Sequence, residues 1–477
     1  MLIVCCGLPG SGKSYLAKKI ARKVNARIIS SDSVRKENCK KPCYDEKSRF
    51  LVYEKMFEEA EKLLDKGSVV LDATFYKKFL REKARKVAEK KKVLFFVIEK
   101  TASDLIVKKR MDQRKKKKTE KSDADYRVYK KLKKEFDEIK EKHFSVEEAD
   151  GKELEEILNQ MHLEEIRFFL SKKEAYSEKI RKLEIKETHI SLVFLNGKYA
   201  YKIKKPINLG FLDYNSIEKR KKFCNEELKI NSMLSSDVYK KVVALKKREG
   251  KIFTFGEGKT VDYAVKMKQL PEKAIMTNAL EKNKVTKKTI EKIATKIASF
   301  HEKRKTKESK KHGSSKEIWN AFSNSFLVEK QIGKKIKIVE KKTRKFLDKN
   351  KKLFEKRIKK GKIRECHGDL HSGNIFLING KPIIFDAIEF NKSISCCDVA
   401  AEIAFMCMDL EFYRKENLSR AFIEEYCRIT GDYEIVRLIM FYKCYRAGIR
   451  MMANAMNNNL KTAEKYYELM NKYAGEF

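Results

Sequence analysis

The chain has 477 residues, is 42% hydrophobic and carries a formal net charge of +43. That length exceeds a single hydrophobic core and predicts two or three domains, while the apolar share excludes a disordered polymer. The longest apolar runs, such as 93–98, are the size of a strand and far short of the ~20 residues that cross a bilayer.

The charge has two readings. Lysine is spread over both halves and interleaved with glutamate, as in 54–66 and 135–142, which describes a generic solvated surface. A surface this basic also attracts polyanions, so nucleic acid is an admissible partner without being required, and so are phosphate-bearing substrates. The eleven cysteines lack the spacing of a disulfide framework, and no C-x-x-C occurs. They predict buried thiols in a reducing cytoplasm and give zinc little support. The start, Met1-Leu-Ile-Val-Cys-Cys-Gly7, has no basic n-region and predicts no cleaved signal peptide.

In chain order, 2–6, 27–30, 69–71 and 93–98 are short, apolar and rich in β-branched or aromatic residues, and predict strands. Between them, 13–24, 45–66 and 77–91 have helical periodicity. Strand alternating with helix predicts a parallel sheet covered on both faces over 1–150, an α/β domain. Residues 102–142 read as helical and highly charged. We place a linker at 151–164 and a second domain at 165–477. Its first part, about 185–270, opens with a hairpin turning on Asn196-Gly197, a helix at 217–234 and strands at 251–255 and 260–267. Its second part, 271–477, is mostly helical, apart from a compact apolar stretch at 365–390. Strands followed by helices predict a two-lobed α+β domain.

The first motif is Gly7-Leu-Pro9-Gly10-Ser11-Gly12-Lys13-Ser14, which fits G-x-x-x-x-G-K-[ST] between a strand and a helix. Its glycines let backbone N–H groups curl around phosphate oxygens at a helix N-terminus. Lys13 can reach the β- and γ-phosphates of ATP, and the Ser14 hydroxyl can ligate Mg²⁺. Two carboxylates follow strands: Asp32 after 27–30, and Asp72 at the end of 69–71. Ser30-Ser-Asp-Ser-Val-Arg35 resembles the acceptor-side motif of P-loop polynucleotide kinases and related small-molecule kinases. By that resemblance Asp32 is the base and Arg35 clamps the acceptor; the alternative is that Asp32 caps a helix. Asp72 would hold Mg²⁺ or position the acceptor, unless it is a hydrogen-bonded turn residue. Arg110 and Arg114 share a helix face, either as a lid over phosphates, as in that superfamily, or as a solvated face.

The second motif is His367-Gly-Asp369-Leu-His-Ser-Gly-Asn374, followed by Asp386 in Ile383-Ile-Phe-Asp-Ala-Ile-Glu-Phe-Asn391. It resembles the catalytic core of the aminoglycoside phosphotransferase family, which has the protein-kinase-like fold. The resemblance implies Asp369 as base, Asn374 and Asp386 as Mg²⁺ ligands and His367 as a brace for the loop. Upstream, Lys202 matches the nucleotide-phosphate lysine. Glu227 is its partner, with Glu226 as competitor, and Met267 lies in the hinge that holds adenine. No G-x-G-x-x-G precedes Lys202, and Ala-Ile rather than Phe-Gly follows Asp386; both features suit small-molecule kinases. The stretches Thr188-His-Ile-Ser191 and Gly210-Phe-Leu-Asp-Tyr214 also resemble uncharacterised bacterial and archaeal members, in which the kinase-like domain usually precedes a P-loop kinase or AAA-type ATPase domain. Here the order is reversed.

The expectation is a cytoplasmic bifunctional phosphotransferase with two MgATP sites, acting on a small-molecule acceptor that is possibly anionic. The alternatives are a nucleic-acid 5′-end kinase in the N-terminal domain, or one domain acting as a non-catalytic ATP-binding switch.

Overall fold

The computed structural model describes residues 1–38, 46–117, 126–148 and 151–477, with the side chains of 38, 46, 114–117, 309 and 310 outside the description. Two compact units divide the chain. One comprises Met1–Lys179, Lys205–Ile207 and Leu245–Val261; the other comprises Ile180–Lys204, Asn208–Ala244 and Asp262–Phe477.

The first unit is built on strands β1 (Leu2–Cys6), β2 (Ala26–Ser30), β3 (Ser68–Asp72), β4 (Phe95–Lys100) and β5 (Phe144–Val146). They form one sheet in the order β2-β3-β1-β4-β5, parallel at every pairing. Parallel neighbours require crossover helices, and those here are α1 (Lys13–Val24), α2 (Ser31–Asn38), α3 (Glu46–Leu64), α4 (Lys78–Lys90), α5 (Asp104–Lys117) and α6 (Tyr126–Glu135). All five residues of β1 are buried, and the period of two divides them between two cores. Leu2, Val4 and Cys6 pack with Met56, Phe57 and Leu80; Ile3 and Cys5 pack with Leu16, Ile20 and Val70. Residues 151–164, expected as a linker, lie largely in helix α7 (Lys152–Leu170), whose Leu154, Ile157 and Met161 complete that second core.

A second sheet contains β6 (Glu184–Glu187), β7 (Ser191–Leu195), β8 (Tyr199–Lys204), β9 (Tyr239–Arg248), β10 (Lys251–Phe253) and β11 (Lys259–Lys268), in the order β10-β9-β11-β8-β7-β6. The pairings of β10 with β9, β11 with β8, β8 with β7 and β7 with β6 are antiparallel. The β7–β8 hairpin turns on Asn196-Gly197, with Gly197 at φ +90° and the Asn196 side chain accepting from the N–H groups of Lys198 and Tyr199. Helix α8 (Ile217–Ser235) begins under a Ser216 cap that accepts the Lys219 N–H. The rest of the second unit is mainly helical, around the helix Val399–Phe412, whose residues 399–410 are buried all round. The hairpin Ile375–Ile378/Lys381–Ile384 and the short pair Ile363–Glu365/Cys396–Asp398 flank the motif at 367–374.

Among the described residues the nine cysteines are free thiols, Cys39 and Cys43 lying outside them, and no helix is long and apolar enough to cross a membrane.

One buried ion cluster sets the start of the central helix. Arg357 is fully buried; its Nε and Nη2 reach Asp398 at 2.7 Å, and its Nη1 and Nη2 reach Asp432 at 2.9 and 3.0 Å. Asp398 in turn caps Val399–Phe412 by accepting the Ala400 N–H. Removing the guanidinium leaves Asp398 buried without a cation and Asp432 with only Lys362, 3.3 Å away. Arg357→Leu is therefore expected to destabilise the second unit by about 3–5 kcal/mol, read as a lower urea midpoint, whereas the exposed pair Arg344–Glu340 is expected to contribute under about 1 kcal/mol.

Candidate functional site

The parallel sheet delivers its chemistry at one edge. Cys5 and Ser30 both pair with Asp72, so β1, β2 and β3 end level, and ligands bind beyond the carboxyl ends of such strands. Residues Gly7–Ser14 run from β1 into α1 there, with Gly7, Gly10 and Gly12 at φ +144°, +84° and +97°. A Cβ on Gly7 would lie 2.5 Å from the Lys100 carbonyl oxygen, and one on Gly12 would lie 3.2 Å from Arg110 Nη1. Arg110, on α5, donates to the Ser11 carbonyl at 2.6 Å, so its guanidinium stands at the loop. Arg114 is on the same helix, its side chain outside the description.

Asp72 is buried. Burial raises its pKa against the pull of Lys13 and a hydrogen bond from Ser14, and Asp32 adds repulsion. Among the described residues Asp72 Oδ1 and Ser11 Oγ have no hydrogen-bond partner. A hydroxyl beside a carboxylate with an oxygen left over is a donor set that fits a hard divalent cation.

Asp32 lies in the first turn of α2, and Arg35 Nη1 is 3.3 Å from its carboxylate. Pro9, Lys13, Asp32 and Arg35 line one cavity of about 80 Å³, together with Arg49, Tyr53, Thr74 and Tyr76. Phe75 has φ +47°, which turns it into the core against Tyr53 while Thr74 and Tyr76 line the cavity. The Tyr53 hydroxyl accepts the Phe75 N–H at 2.9 Å.

In the second unit, Lys202 on β8 is 3.0 Å from Glu227 on α8 and 2.5 Å from Asp386. Glu227 is fully buried, and its other oxygen is 2.7 Å from Lys204. Glu226 takes no part in this cluster. Lys204 also bonds Glu389 and, at 3.3 Å, the Tyr214 hydroxyl, which donates to Glu389. Burial would raise the Glu227 pKa; Lys202 and Lys204 outweigh it and hold it near 2. Glu389 goes the other way, because burial outweighs the attraction of Lys204.

Within the loop, Asn374 Nδ2 donates to Asp369 Oδ2 at 3.0 Å and to the Asp369 carbonyl at 2.9 Å. His371 Nε2 is 3.4 Å from Asp369 Oδ2. Burial pushes the Asp369 pKa up, but His371, then Arg450 and His367, hold it well below the usual carboxylate range. His367 Nε2 donates to the Phe385 carbonyl, which ties the loop to the strand leading into Asp386. Asp386 has φ +65° and donates its N–H to the Tyr239 hydroxyl at 3.1 Å. Met267 joins Ala200, Val265 and Phe385 in an apolar cluster at the end of β11.

Residues 2–139 match the family model of the AAA domain. The loop Gly7–Ser14, Asp32, Asp72 and Arg110 all lie inside this AAA domain. Uncharacterised proteins of Mycobacterium tuberculosis and Mycobacterium bovis are 29% identical to the chain over 275 residues, covering 56% of it and 54% of each relative. The chain thus spans about half the length of the curated relatives it matches. Among solved structures, the APS kinase CysC of Mycobacterium tuberculosis in complex with AMPPNP and APS is 20% identical, covers 34% of this chain and 96% of its own, and has a TM-score of 0.28. The GDP and kanamycin complex of APH(2")-IIia is 12% identical, covers 66% of this chain and 99% of its own, and has a TM-score of 0.39. Likeness at those scores carries no argument about activity.

Sequence reasoning missed Lys204, Glu389, Tyr214, Arg49 and Lys100. Lys204 had a signal, since two residues after Lys202 on a strand is the same face. Lys100 ends β4 beside the AAA domain's loop, with its buried ammonium donating to the carbonyls of Thr101 and Glu147.

Gly7→Ala is expected to destabilise the AAA domain by about 2–4 kcal/mol, because the Cβ meets backbone rather than a yielding side chain. Gly67→Ala, at φ +159° but with nothing within 4 Å of its Cβ, carries backbone cost without the clash and is expected to lower the thermal midpoint less.

Proposed function

We propose that the chain is an ATP-dependent phosphotransferase with two MgATP sites, one on the AAA domain and one in the second unit, each transferring a γ-phosphate to the hydroxyl of a small-molecule acceptor. The observation that carries this reading is two bonded groups in the second unit, Asp369 with Asn374 and Lys202 with Glu227 and Asp386, joined by the backbone bond from the Phe385 N–H to the Asn374 carbonyl at 3.1 Å. Such a set serves phosphoryl transfer, where positioning and charge neutralisation supply most of the catalysis.

In the second unit Asp369 orients the acceptor hydroxyl and takes its proton as the acceptor oxygen bonds the γ-phosphorus and the bond from that phosphorus to the ADP oxygen breaks. Asn374 holds that carboxylate in place and would share a magnesium ion with Asp386. Lys202 meets the nucleotide phosphates, and Glu227 fixes its direction. Met267 and its apolar neighbours face the base. On the AAA domain Lys13 and the backbone N–H groups of Gly10, Ser11 and Gly12, in a loop shaped by Gly7 and Pro9, receive the phosphates, while Ser14 and Asp72 would hold magnesium. Asp32 is the base, Arg35 holds the acceptor, and Arg110 with Arg114 neutralises charge as a lid. Bound magnesium would supply neutralisation of the phosphate oxygens.

The test is label transfer from γ-labelled ATP into a metabolite extract by the full chain and by Lys13→Ala and Asp369→Asn variants. Each variant is expected to lose one set of labelled products by about 10³-fold or more and keep the other. Survival of every product in both variants overturns the reading.

The second site also has a pH signature. A carboxyl held below its ordinary pKa stays ionised as pH falls, so Asp369 places no acid limb in the usual carboxylate range. His371→Asn removes the first of the attractions that outweigh burial, so an acid limb in kcat/KM is expected to move to higher pH. An unmoved profile argues against His371 as the counter-charge.

A further inference from the structure

The AAA domain's cavity is unusual in its charge. Three cations line it, Lys13, Arg35 and Arg49, against a single carboxylate among its lining residues, Asp32. Arg35 already sits 3.3 Å from that carboxylate. Lys13 belongs to the phosphate loop and already faces a second carboxylate, the buried Asp72. Arg49, half-buried on α3, brings a guanidinium that Asp32 does not balance. Confining like charges in one small, partly desolvated space costs folding free energy, and an anion between them removes that cost.

The size of the cavity narrows the ligand. About 80 Å³ is room for a few heavy atoms, far below the several hundred that bury a whole drug-sized ligand. The enclosed part holds the reacting end of an acceptor and one tetrahedral anion, and because the cavity is open to solvent the rest of an acceptor can extend outward. Guanidinium groups on two separate helices, α2 and α3, suit the oxygens of a phosphate better than a single carboxylate.

We infer that the acceptor of the AAA domain is a small phosphorylated alcohol, with its phosphate between Arg35 and Arg49 and its free hydroxyl toward Asp32. This rests on the phosphotransfer reading of the same site. In the transfer step the acceptor oxygen forms a bond to the γ-phosphorus, the bond from that phosphorus to the ADP oxygen breaks, and the hydroxyl proton passes to Asp32. Arg49 is then the residue that selects phosphorylated over plain alcohols.

The experiment measures binding, so it stands apart from turnover. The full chain is saturated with AMPPNP and Mg²⁺, which occupies the γ-phosphate positions, and is titrated with inorganic phosphate by calorimetry or ³¹P NMR. One saturable phosphate is expected, weakened at least tenfold in Arg35→Gln and in Arg49→Gln but largely retained in Arg49→Lys, which keeps the charge. Glycerol 3-phosphate is expected to displace it and glycerol is not. Absence of saturable binding, or equal binding in wild type and both glutamine variants, overturns the inference while leaving label transfer free to succeed. Displacement by a 5′-hydroxyl oligonucleotide and not by glycerol 3-phosphate overturns the small-molecule class in favour of a nucleic-acid end.

Discussion

A charge taken partly out of water needs a partner. That constraint organises both sites. In the second unit it is met by a chain of ions: Asp386 to Lys202, Lys202 to Glu227, Glu227 to Lys204, and Lys204 to Glu389. Glu227 stays ionised because two ammonium groups face it, and those ammonium groups stay protonated because of the carboxylates. On the AAA domain the partners are mostly backbone. Arg110 rests on the Ser11 carbonyl and Lys100 on those of Thr101 and Glu147. Carbonyl partners bring no opposing charge, so the positive field at the loop is not cancelled.

The Asp369 loop of the second unit is held by a mechanical path that begins far from it in sequence. Arg357 fixes Asp398, and Asp398 caps the helix Val399–Phe412. One turn into that helix, Glu402 accepts the N–H groups of His367 and Gly368 at 3.1 and 2.7 Å, while His301 Nε2 sits 2.6 Å from the same carboxylate. Two residues of the loop are thereby pinned just before Asp369. His301, Cys366 and Glu402 lie close enough to hold an ion. However, both histidine nitrogens and both carboxylate oxygens already have hydrogen-bond partners, Tyr426 taking Nδ1, so the cluster is accounted for as loop support.

What could be read in the sequence follows from the range of the interactions involved. Gly7–Ser14 and His367–Asn374 are local motifs whose spacing carries the chemistry, and β1 and its neighbours are short apolar runs. Strand β9 was not anticipated because lysines and an arginine flank its apolar centre, and only a few of its residues are buried. Residues 151–164, set as a linker, carry Leu154, Ile157 and Met161 at helical spacing and lie in helix α7. Arg49 and Glu389 had no local signal at all. Each earns its place through a residue distant in the chain, Arg49 through a cavity shared with Lys13 and Tyr76, and Glu389 through Lys204.

Both sites also solve one backbone problem in the same way. Phe75 and Asp386 each adopt a left-handed conformation that a side chain with a Cβ resists by about 1–2 kcal/mol. Each donates its N–H to the hydroxyl of a buried tyrosine, Phe75 to Tyr53 at 2.9 Å and Asp386 to Tyr239 at 3.1 Å. A hydrogen bond of this kind contributes about 1 kcal/mol net, and leaving the N–H unpaired would cost more. The hydroxyl therefore offsets much of the strain and penalises the relaxed alternative, in which the amide loses its partner. The strain has a use in each case: it turns Phe75 into the core while Thr74 and Tyr76 line the cavity, and it sets Asp386 against Lys202. Glycine would take either conformation without strain, but it would supply neither the buried ring nor the carboxylate. The two positions keep a costly backbone because the side chain is what the site requires.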